Sequence, residues 1–221
     1  VNAGSATGGT ILYSLDGTNW SESIPTGLNA GEYTVYYKVE GDGNHNDAES
    51  GSVAVSIAQK AVTVKAEDKT KVYDNDASSD PALTATVTGA VDGETINYTL
   101  SRTAGQNVGE YEITVNLGTN PNYTVSVESG TFSITRKQVT VRPDDKTKVY
   151  GTDDPALTAT VTGLLGSDTI TYTLMRANGV NVGSYDILAI GAAEQGNYLV
   201  SFETGTLTIT KAAATVQADD K

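Results

Sequence analysis

The chain has 221 residues, no cysteine, a single histidine and a formal net charge of −13 at pH 7. The absence of cysteine excludes a disulfide framework, thiol catalysis and thiolate metal sites. Negative charge repels nucleic-acid phosphates and anionic lipids, and no apolar run approaches the roughly 20 residues of a membrane span, so we expect neither nucleic-acid partners nor membrane insertion.

Residues 1–60 are predicted to form a variant β repeat that is truncated at its N-terminus. The segment "TILYSL" at 10–15 matches "TINYTL" at 95–100, yet far fewer residues of the same repeat precede it. Trp20 lies on a glycine-rich hairpin, where it is a candidate for stacking against a sugar ring. Partial burial over a small core is the alternative interpretation.

The loop "GDGNHND" at 41–47 contains the residues of this repeat that are most similar to a known metal-binding motif. Asp42, Asn44 and Asn46 have the spacing that opens a calcium-binding loop, although the glycine and the glutamate of that motif are missing. They are the candidate calcium ligands. His45 has no fixed serine or aspartate partner in the sequence, so we expect a solvated loop residue and no enzymatic activity.

Two copies of a long phrase follow. "KVYDNDASSDPALTATVTG" at 71–89 returns as "KVYGTDDPALTATVTG" at 148–163, and the similarity extends to both sides. A repeat of this kind defines the unit that must fold, which gives one module at 61–137 and another at 138–211. "TVQADDK" at 215–221 matches "TVRPDDK" at 140–146, so 212–221 is predicted to be the first strand of a following module.

Short β-branched runs separated by glycine and proline predict strands throughout both modules. Leu157, Ala159 and Val161 alternate with threonines, which gives one apolar and one hydroxylic face. No window shows apolar residues at helical spacing. The predicted fold class is all-β, with tandem small antiparallel Ig-like β-sandwich modules. A β-grasp-like module with one short helix, at "GLLGSDT" in 163–169, is the alternative.

The motif Asn-x-Gly-x-Tyr-x-aliphatic occurs three times, at 29–35, 107–113 and 181–187. In immunoglobulin-like sandwiches, a tyrosine at this place in the strand order bonds through its hydroxyl to upstream backbone. We therefore predict tyrosine corners, with a simple Gly-x-Tyr strand opening as the alternative. The residues of the motif are Tyr33, Tyr111 and Tyr185 together with Gly31, Gly109 and Gly183.

Charged residues cluster after the first strand of each module. Acidic pairs stand at 67–68, 144–145 and 219–220, and a lysine follows each pair. We expect solvated turns with local charge compensation, and a calcium site is the alternative. Lys71 and Lys148 lie in Lys-x-Lys patterns that are typical of an exposed edge strand, where charge prevents aggregation.

Taken together, the motifs of the two modules resemble a known family. Lys-Val-Tyr-(Gly/Asp), Asp-Pro-Ala-Leu, Asn-Val-Gly-x-Tyr, Asn-Tyr-x-Val and Ser/Thr-Ile-Thr follow one another, with Tyr73 and Tyr150 in the first element. This order is similar to the MBG domains of the YGX and YDG type, which are repeated in bacterial cell-surface and adhesin-like proteins. The resemblance implies an exported protein that is attached to the cell surface through segments outside 1–221, and it carries over no catalytic residue.

Two functions agree with these patterns. The first is a structural stalk or spacer that projects a distal binding region, because tandem repeats contact mainly their neighbours. The second is an adhesive module that binds a host glycan or matrix protein through its loops. The loops "SRTAGQNVG" and "MRANGVNVG" are small and polar, which favours the spacer. In solution we expect a monomer or weak head-to-tail association, with no required cofactor.

Overall fold

The computed structural model describes residues 3–217, and nearly all regular structure in that range is β-strand. The strands are β1 (Gly9–Ser14), β2 (Gly31–Gly41), β3 (Gly51–Ile57), β4 (Lys60–Ala66), β5 (Lys69–Val72), β6 (Ala85–Thr88), β7 (Tyr98–Arg102), β8 (Gly109–Leu117), β9 (Tyr123–Glu128), β10 (Gly130–Thr135), β11 (Lys137–Pro143), β12 (Lys146–Val149), β13 (Ala159–Thr162), β14 (Thr173–Arg176), β15 (Gly183–Ile190), β16 (Glu194–Gln195), β17 (Tyr198–Phe202) and β18 (Thr204–Thr210).

The all-β fold class is confirmed. The one helix within residues 3–217 is a three-residue 3-10 turn at Ala77–Ser79. Residues 163–169 contain turns and no helix, which excludes the β-grasp alternative. The alternation in the sequence explains the strands: in β18, Leu207 and Ile209 are buried, while the threonines between and beside them are not.

The chain divides into two compact units. One comprises Val1–Glu67, Leu83–Ser101 and Ile113–Gly130, and the other comprises Asp68–Ala82, Arg102–Glu112 and Thr131–Lys221. The boundary passes through the module predicted at 61–137 and cuts β7, β8 and β10. We use module one for residues 1–60, module two for 61–137 and module three for 138–211, and these sequence repeats do not coincide with the two units.

The first unit contains two three-stranded sheets. The order β1-β2-β3 is antiparallel throughout, and Tyr13 and Val35 are buried on the same face of it. Residues 3–60 form this single sheet, whereas modules two and three have two sheets each. In the other sheet of this unit, β4 lies between β6 and β9.

The second unit contains both sheets of module three, with the orders β13-β11-β17-β16 and β12-β18-β15-β14. Ile187, Leu207 and Ile209 form a buried cluster against which Leu157 and Tyr185 pack. Ile187 is the aliphatic residue of the repeated tyrosine motif, and it is fully buried. The remaining sheet, β5-β10-β8-β7, contains the three strands that the boundary between the units cuts.

The sheets are mixed, which corrects the prediction of purely antiparallel sandwiches. β11 pairs with β17 and β12 pairs with β18 in parallel. In module two, β4 pairs with β9 and β5 pairs with β10 in the same way. The reason is topological. The first and last extended segments of a module run side by side in one direction, and the rest of the module supplies the long crossover that a parallel pair requires.

The segment after module three does not show the predicted strand. Residues 212–217 are exposed and form no strand, and the rest of the predicted strand at 212–221 lies outside the described residues. Between residues 3 and 217, no helix is long and apolar enough to cross a membrane.

Candidate functional site

The tyrosines of the repeated motif make the same hydrogen bond in all three modules. Each hydroxyl donates to the carbonyl oxygen of the asparagine four residues earlier in the chain. The pairs are Tyr33 and Asn29 at 2.8 Å, Tyr111 and Asn107 at 2.8 Å, and Tyr185 and Asn181 at 2.9 Å. This is the bond to upstream backbone that defines a tyrosine corner, and it holds the asparagine in place just before β2, β8 and β15.

This geometry requires one glycine in each loop and a second glycine in the loops of modules two and three. The glycines two residues before the tyrosines have positive φ angles, which side chains rarely adopt. They are Gly31 at +155°, Gly109 at +156° and Gly183 at +157°. A second glycine lies against the ring: a Cβ atom on Gly179 would be 1.9 Å from Cε1 of Tyr185, so no side chain fits there.

In module two, Lys71 lies in a buried network of ion pairs. Its Nζ is 2.8 Å from Asp74 Oδ1 and 2.8 Å from Asp80 Oδ1, and it donates to Gln106 Oε1 at 3.0 Å. Only 8% of the Lys71 side chain is exposed. The sequence expectation of an exposed edge lysine is therefore wrong, because the loop that follows β5 folds over this side chain with its carboxylates.

Arg102 extends this network to the tyrosine motif. Its Nε and its terminal nitrogen donate to Asp80 Oδ2 at 2.9 and 2.6 Å, and its other terminal nitrogen donates to the Gly105 carbonyl at 2.9 Å. The guanidinium carbon lies 5.4 Å from the centre of the Tyr111 ring. A planar guanidinium can do both at once, because it donates within its plane and stacks through its face.

The charges in this network fix each other's ionisation. Burial lowers the pKa of Lys71, but the hydrogen bonds to Asp74 and Asp80 outweigh that effect and leave the pKa raised. Burial likewise raises the pKa of Asp80, yet the bonds from Lys71 and Arg102 dominate and its pKa is lowered. The lysine is therefore held as a cation within this network.

Module three contains a more exposed version of the same network. Lys148 Nζ is 2.7 Å from Asp154 Oδ1, and Arg176 Nε is 2.6 Å from Asp154 Oδ2. Arg176 also donates to the Gly179 carbonyl at 2.8 Å. The Arg176 and Lys148 bonds lower the pKa of Asp154. Because 41% of the Asp154 side chain is exposed, against 20% for Asp80, water screens this version more strongly.

The loop asparagine of module two contacts module three directly. Asn197 Oδ1 accepts a hydrogen bond from the Val108 amide at 2.8 Å, and Asn197 Nδ2 donates to Asn107 Oδ1 at 3.0 Å. The backbone carbonyl of Asn197 accepts from the Lys137 amide at 3.0 Å, at the start of β11. One asparagine thus joins the first strand of its own module to the loop of the module before it.

The same contact occurs between modules one and two. Asn122 Oδ1 accepts from the Ala30 amide at 3.0 Å, and Asn122 Nδ2 donates to Asn29 Oδ1 at 3.0 Å. The Asn122 carbonyl accepts from the Lys60 amide at 2.9 Å, at the start of β4. Both junctions therefore use an asparagine in the same role, and we call this pair of side-chain bonds the asparagine contact.

A buried aromatic pair lies beside the second asparagine contact. The rings of Tyr73 and Tyr198 meet edge to face, with centroids 5.6 Å apart, and each residue is only 4% exposed. The Tyr198 hydroxyl donates to Asp168 Oδ2 at 2.6 Å. At the rim of the same junction, Arg136 lies 3.0 Å from Glu194. The junction thus has an apolar centre with polar and charged groups around it.

Asp42, the first candidate calcium ligand of module one, is engaged in hydrogen bonds. Asp42 Oδ1 lies 2.7 Å from His45 Nδ1 and accepts from the Asn44 amide at 2.9 Å, and these bonds lower the pKa of Asp42. His45 thus has an aspartate partner, contrary to the sequence expectation, and Asn46 is exposed. Within residues 3–217, no group of three or more His, Cys, Asp or Glu side chains is placed to hold a metal ion.

Trp20, the candidate sugar platform, is half-buried. The Lys38 ammonium lies over its ring at 5.0 Å from the centroid, which is a cation–π distance. One face of the indole is therefore already in contact with the protein's own lysine.

The acidic pairs after the first strands bind backbone groups. Asp68 Oδ1 accepts from the Thr131 amide at 2.7 Å, and Asp145 Oδ1 accepts from the Thr206 amide at 2.8 Å. Each bond satisfies a backbone donor near the point where the last segment of the module passes from one sheet to the other. The expected solvated turns thus have a specific structural role, and the third pair, at 219–220, lies outside the described residues.

No sequence pattern predicted a role for the asparagines of the two junctions or for the arginines of the two networks. Asn122 and Asn197 stand in the repeated Asn-Tyr-x-Val, and Arg102 and Arg176 stand in the repeated polar loops. Their recurrence at equivalent positions was the available signal. Recurrence alone does not tell whether a polar side chain faces the core, a neighbouring module or solvent.

Comparison with known families gives two matches, both to the family described as MBG domain (YGX type). They cover residues 62–133 and 139–208, which together are more than half of the chain. No curated protein matches the sequence. The two matched segments are the ones that carry the lysine–aspartate–arginine network, the tyrosine corner and the Asn-Tyr pair in the same order. The chain therefore belongs to the MBG domain family of the YGX type, of which it holds two tandem copies.

Proposed function

We propose that the chain is a series of structural spacer modules of an exported bacterial cell-surface protein, which project a distal binding region. The MBG repeat domain family is found in cell-surface proteins. The observation that carries the proposal is the asparagine contact, which recurs at both junctions with the same atoms and nearly the same distances. Modules that dock directly onto their neighbours transmit position along a chain better than modules on flexible linkers.

The polar loops support a spacer over an adhesive module. Binding sites for proteins concentrate exposed aromatic and arginine side chains. At the ends of β7 and β14, Arg102 and Arg176 point inward, where they bind Asp80 and Asp154 and stack on the corner tyrosines. The two arginine side chains that are best suited to bind a ligand thus make their contacts within the folded module.

The proposal is tested by displaying the modules on a bacterial surface. Residues 61–211 are inserted once, twice or three times between a surface anchor and a tagged binding domain. The tag is expected to move away from the surface by a similar increment with each insertion, while the terminal domain keeps its affinity. A glycine–serine linker of the same number of residues is the control, and it should give a smaller increment.

A binding assay separates the spacer from the adhesive module. Residues 1–221 are applied to immobilised host glycans and matrix proteins, with a Trp20→Ala variant beside them. The spacer predicts no saturable binding by either protein. Saturable binding that is lost in Trp20→Ala would overturn the proposal in favour of the adhesive module.

A further inference from the structure

We infer that module three presents a docking face for a following module of the same family, formed by Tyr150, Asn181 and Val182. The inference deepens the proposed spacer function and rests on it, since it supplies the means by which a series of modules continues. The equivalent residues of module two, which bind module three, are Tyr73, Asn107 and Val108.

The local structure that presents these groups is the same in both modules. The Tyr185 hydroxyl holds the Asn181 carbonyl at 2.9 Å, as Tyr111 holds Asn107 at 2.8 Å. The Arg176 guanidinium covers the Tyr185 ring, as its equivalent does in module two. The amide side chain of Asn181 and the backbone N–H of Val182 are therefore presented just before β15, where module two presents its own pair before β8.

What differs between the two faces is their exposure. Tyr73 is 4% exposed under module three, whereas Tyr150 is 50% exposed. Val108 is half-buried, whereas Val182 is 48% exposed. In the described part of the chain, no asparagine side chain bonds to Asn181 or Val182. Module three thus carries the complete set of docking groups without the partner that covers them in module two.

The chemistry of the face selects one kind of occupant. Covering Val182 and Asn181 requires a side chain that accepts one hydrogen bond and donates another, and an asparagine amide does both. Burying Tyr150 requires an apolar ring next to it, as Tyr198 provides for Tyr73. A purely apolar partner would leave the amide groups buried without bonds, which is unfavourable. The occupant is therefore the Asn-Tyr end of another module.

Module one of a second copy of this chain cannot bind this face in the same way, because residues 1–60 contain no Asn-Tyr pair. The pairs Asn122-Tyr123 and Asn197-Tyr198 are already engaged at the two junctions. The sequence after module three instead repeats the start of a module, since 215–221 matches 140–146. These observations favour a module that follows in the same polypeptide over self-association.

The test extends the full chain by one module in its natural register. A second copy of residues 147–211 is joined directly after Lys221, which is the equivalent of Lys146. Amide hydrogen exchange of Val182 and hydroxyl-radical labelling of Tyr150 are compared with those in residues 1–221. We expect exchange at Val182 to slow by about tenfold, as a hydrogen-bonded amide does, and labelling of Tyr150 to fall to the level of Tyr73.

Asn197→Ala in the appended copy alone is the matched control. It should return Val182 to its original exchange rate while leaving Val108, whose partner is in the first copy, unchanged. If the appended module folds but exchange at Val182 and labelling of Tyr150 do not change, the inference is overturned. The spacer proposal is not affected by that result, because the display experiment tests it separately. An appended module that stays unfolded would also overturn it, because the same sequence folds when it follows module two in the same register.

Discussion

Asn197 Nδ2 donates to Asn107 Oδ1 at 3.0 Å, so a side chain of module three, just before β17, is bonded to the loop that the tyrosine corner holds in module two. The contacts continue inward, because Tyr111 holds the Asn107 carbonyl and Arg102 stacks on Tyr111. The groups that stabilise a module therefore also position the groups that dock its neighbour.

Substitution of either junction asparagine should break its own asparagine contact and leave the other contact intact. In Asn197→Ala, exchange at the Val108 amide should accelerate by about tenfold because its acceptor is removed, while the Ala30 amide is unaffected. Asn122→Ala should do the reverse. Amide exchange followed by NMR is the measurement, and Asn178→Ala, at an exposed loop position, is the control. Equal effects of either substitution on both amides would contradict two independent junctions.

Equivalent tyrosines should differ in their contribution to stability. Tyr73→Ala removes a buried ring from its contact with Tyr198 and should cost about 3 kcal/mol, as other buried aromatic truncations do. Tyr150→Ala removes a half-exposed ring and should cost less than about 1 kcal/mol. Urea unfolding of the two variants measures the difference. Similar losses of unfolding free energy in the two variants would show that the burial of Tyr73 by module three adds little stability.

The buried lysine network should be sensitive to the loss of one partner. Lys71→Met leaves Asp74 without its cation and Asp80 with Arg102 alone, and breaking a buried pair in this way costs roughly 3 kcal/mol. The control is Lys65→Met, at an exposed pair with Glu128, where a change within about 0.5 kcal/mol is expected. Thermal unfolding of both variants checks this, and an equally small effect at Lys71 would contradict a structural role for the network.

The same network predicts how stability depends on pH. The pKa values of Asp74 and Asp80 are lowered in the folded protein, so their stabilising effect is present above the unfolded value of about 3.9 and is lost as the pH falls below that value through the lower folded pKa values. The pKa of Lys71 is raised, so its contribution is present below about 10.4 and is lost above it.

Urea midpoints measured between pH 2 and pH 11 test both limbs of this dependence. Asp80→Asn should be less stable at pH 7 and should lose less stability on acidification than the unaltered chain, because one linked carboxylate is gone. If the variant loses as much stability on acidification as the unaltered chain, groups other than Asp80 cause that loss.

Local chemistry in the sequence predicted part of this structure. The Asn-x-Gly-x-Tyr motif indicated a hydroxyl bond to nearby backbone, and the tyrosines make it to a residue only four positions away. Alternating threonines in β6 and β13 indicated short strands. These features depend on neighbours in the chain, so a single sequence is enough to predict them.

The rest depends on partners that are far apart in the sequence. Lys71 was expected at an exposed edge because a Lys-x-Lys pattern does not show that Asp80 and Arg102 enclose one of the two lysines. The parallel pairing of β11 with β17 joins the first and last segments of a module, and period-two alternation is the same for parallel and antiparallel neighbours. Asn197 was missed because its partners belong to the preceding module.

A double-mutant cycle between Asn107 and Asn197 tests most directly whether consecutive modules are joined by the asparagine contact. Asn107→Ala, Asn197→Ala and the double variant are compared through the opening free energies of the buried Val141 and Ile209 amides, measured by hydrogen exchange in low urea. A direct bond between the two side chains should give a coupling energy of about 0.5 to 1.5 kcal/mol, the net contribution of a hydrogen bond. Effects of the two substitutions that add within about 0.3 kcal/mol would contradict it.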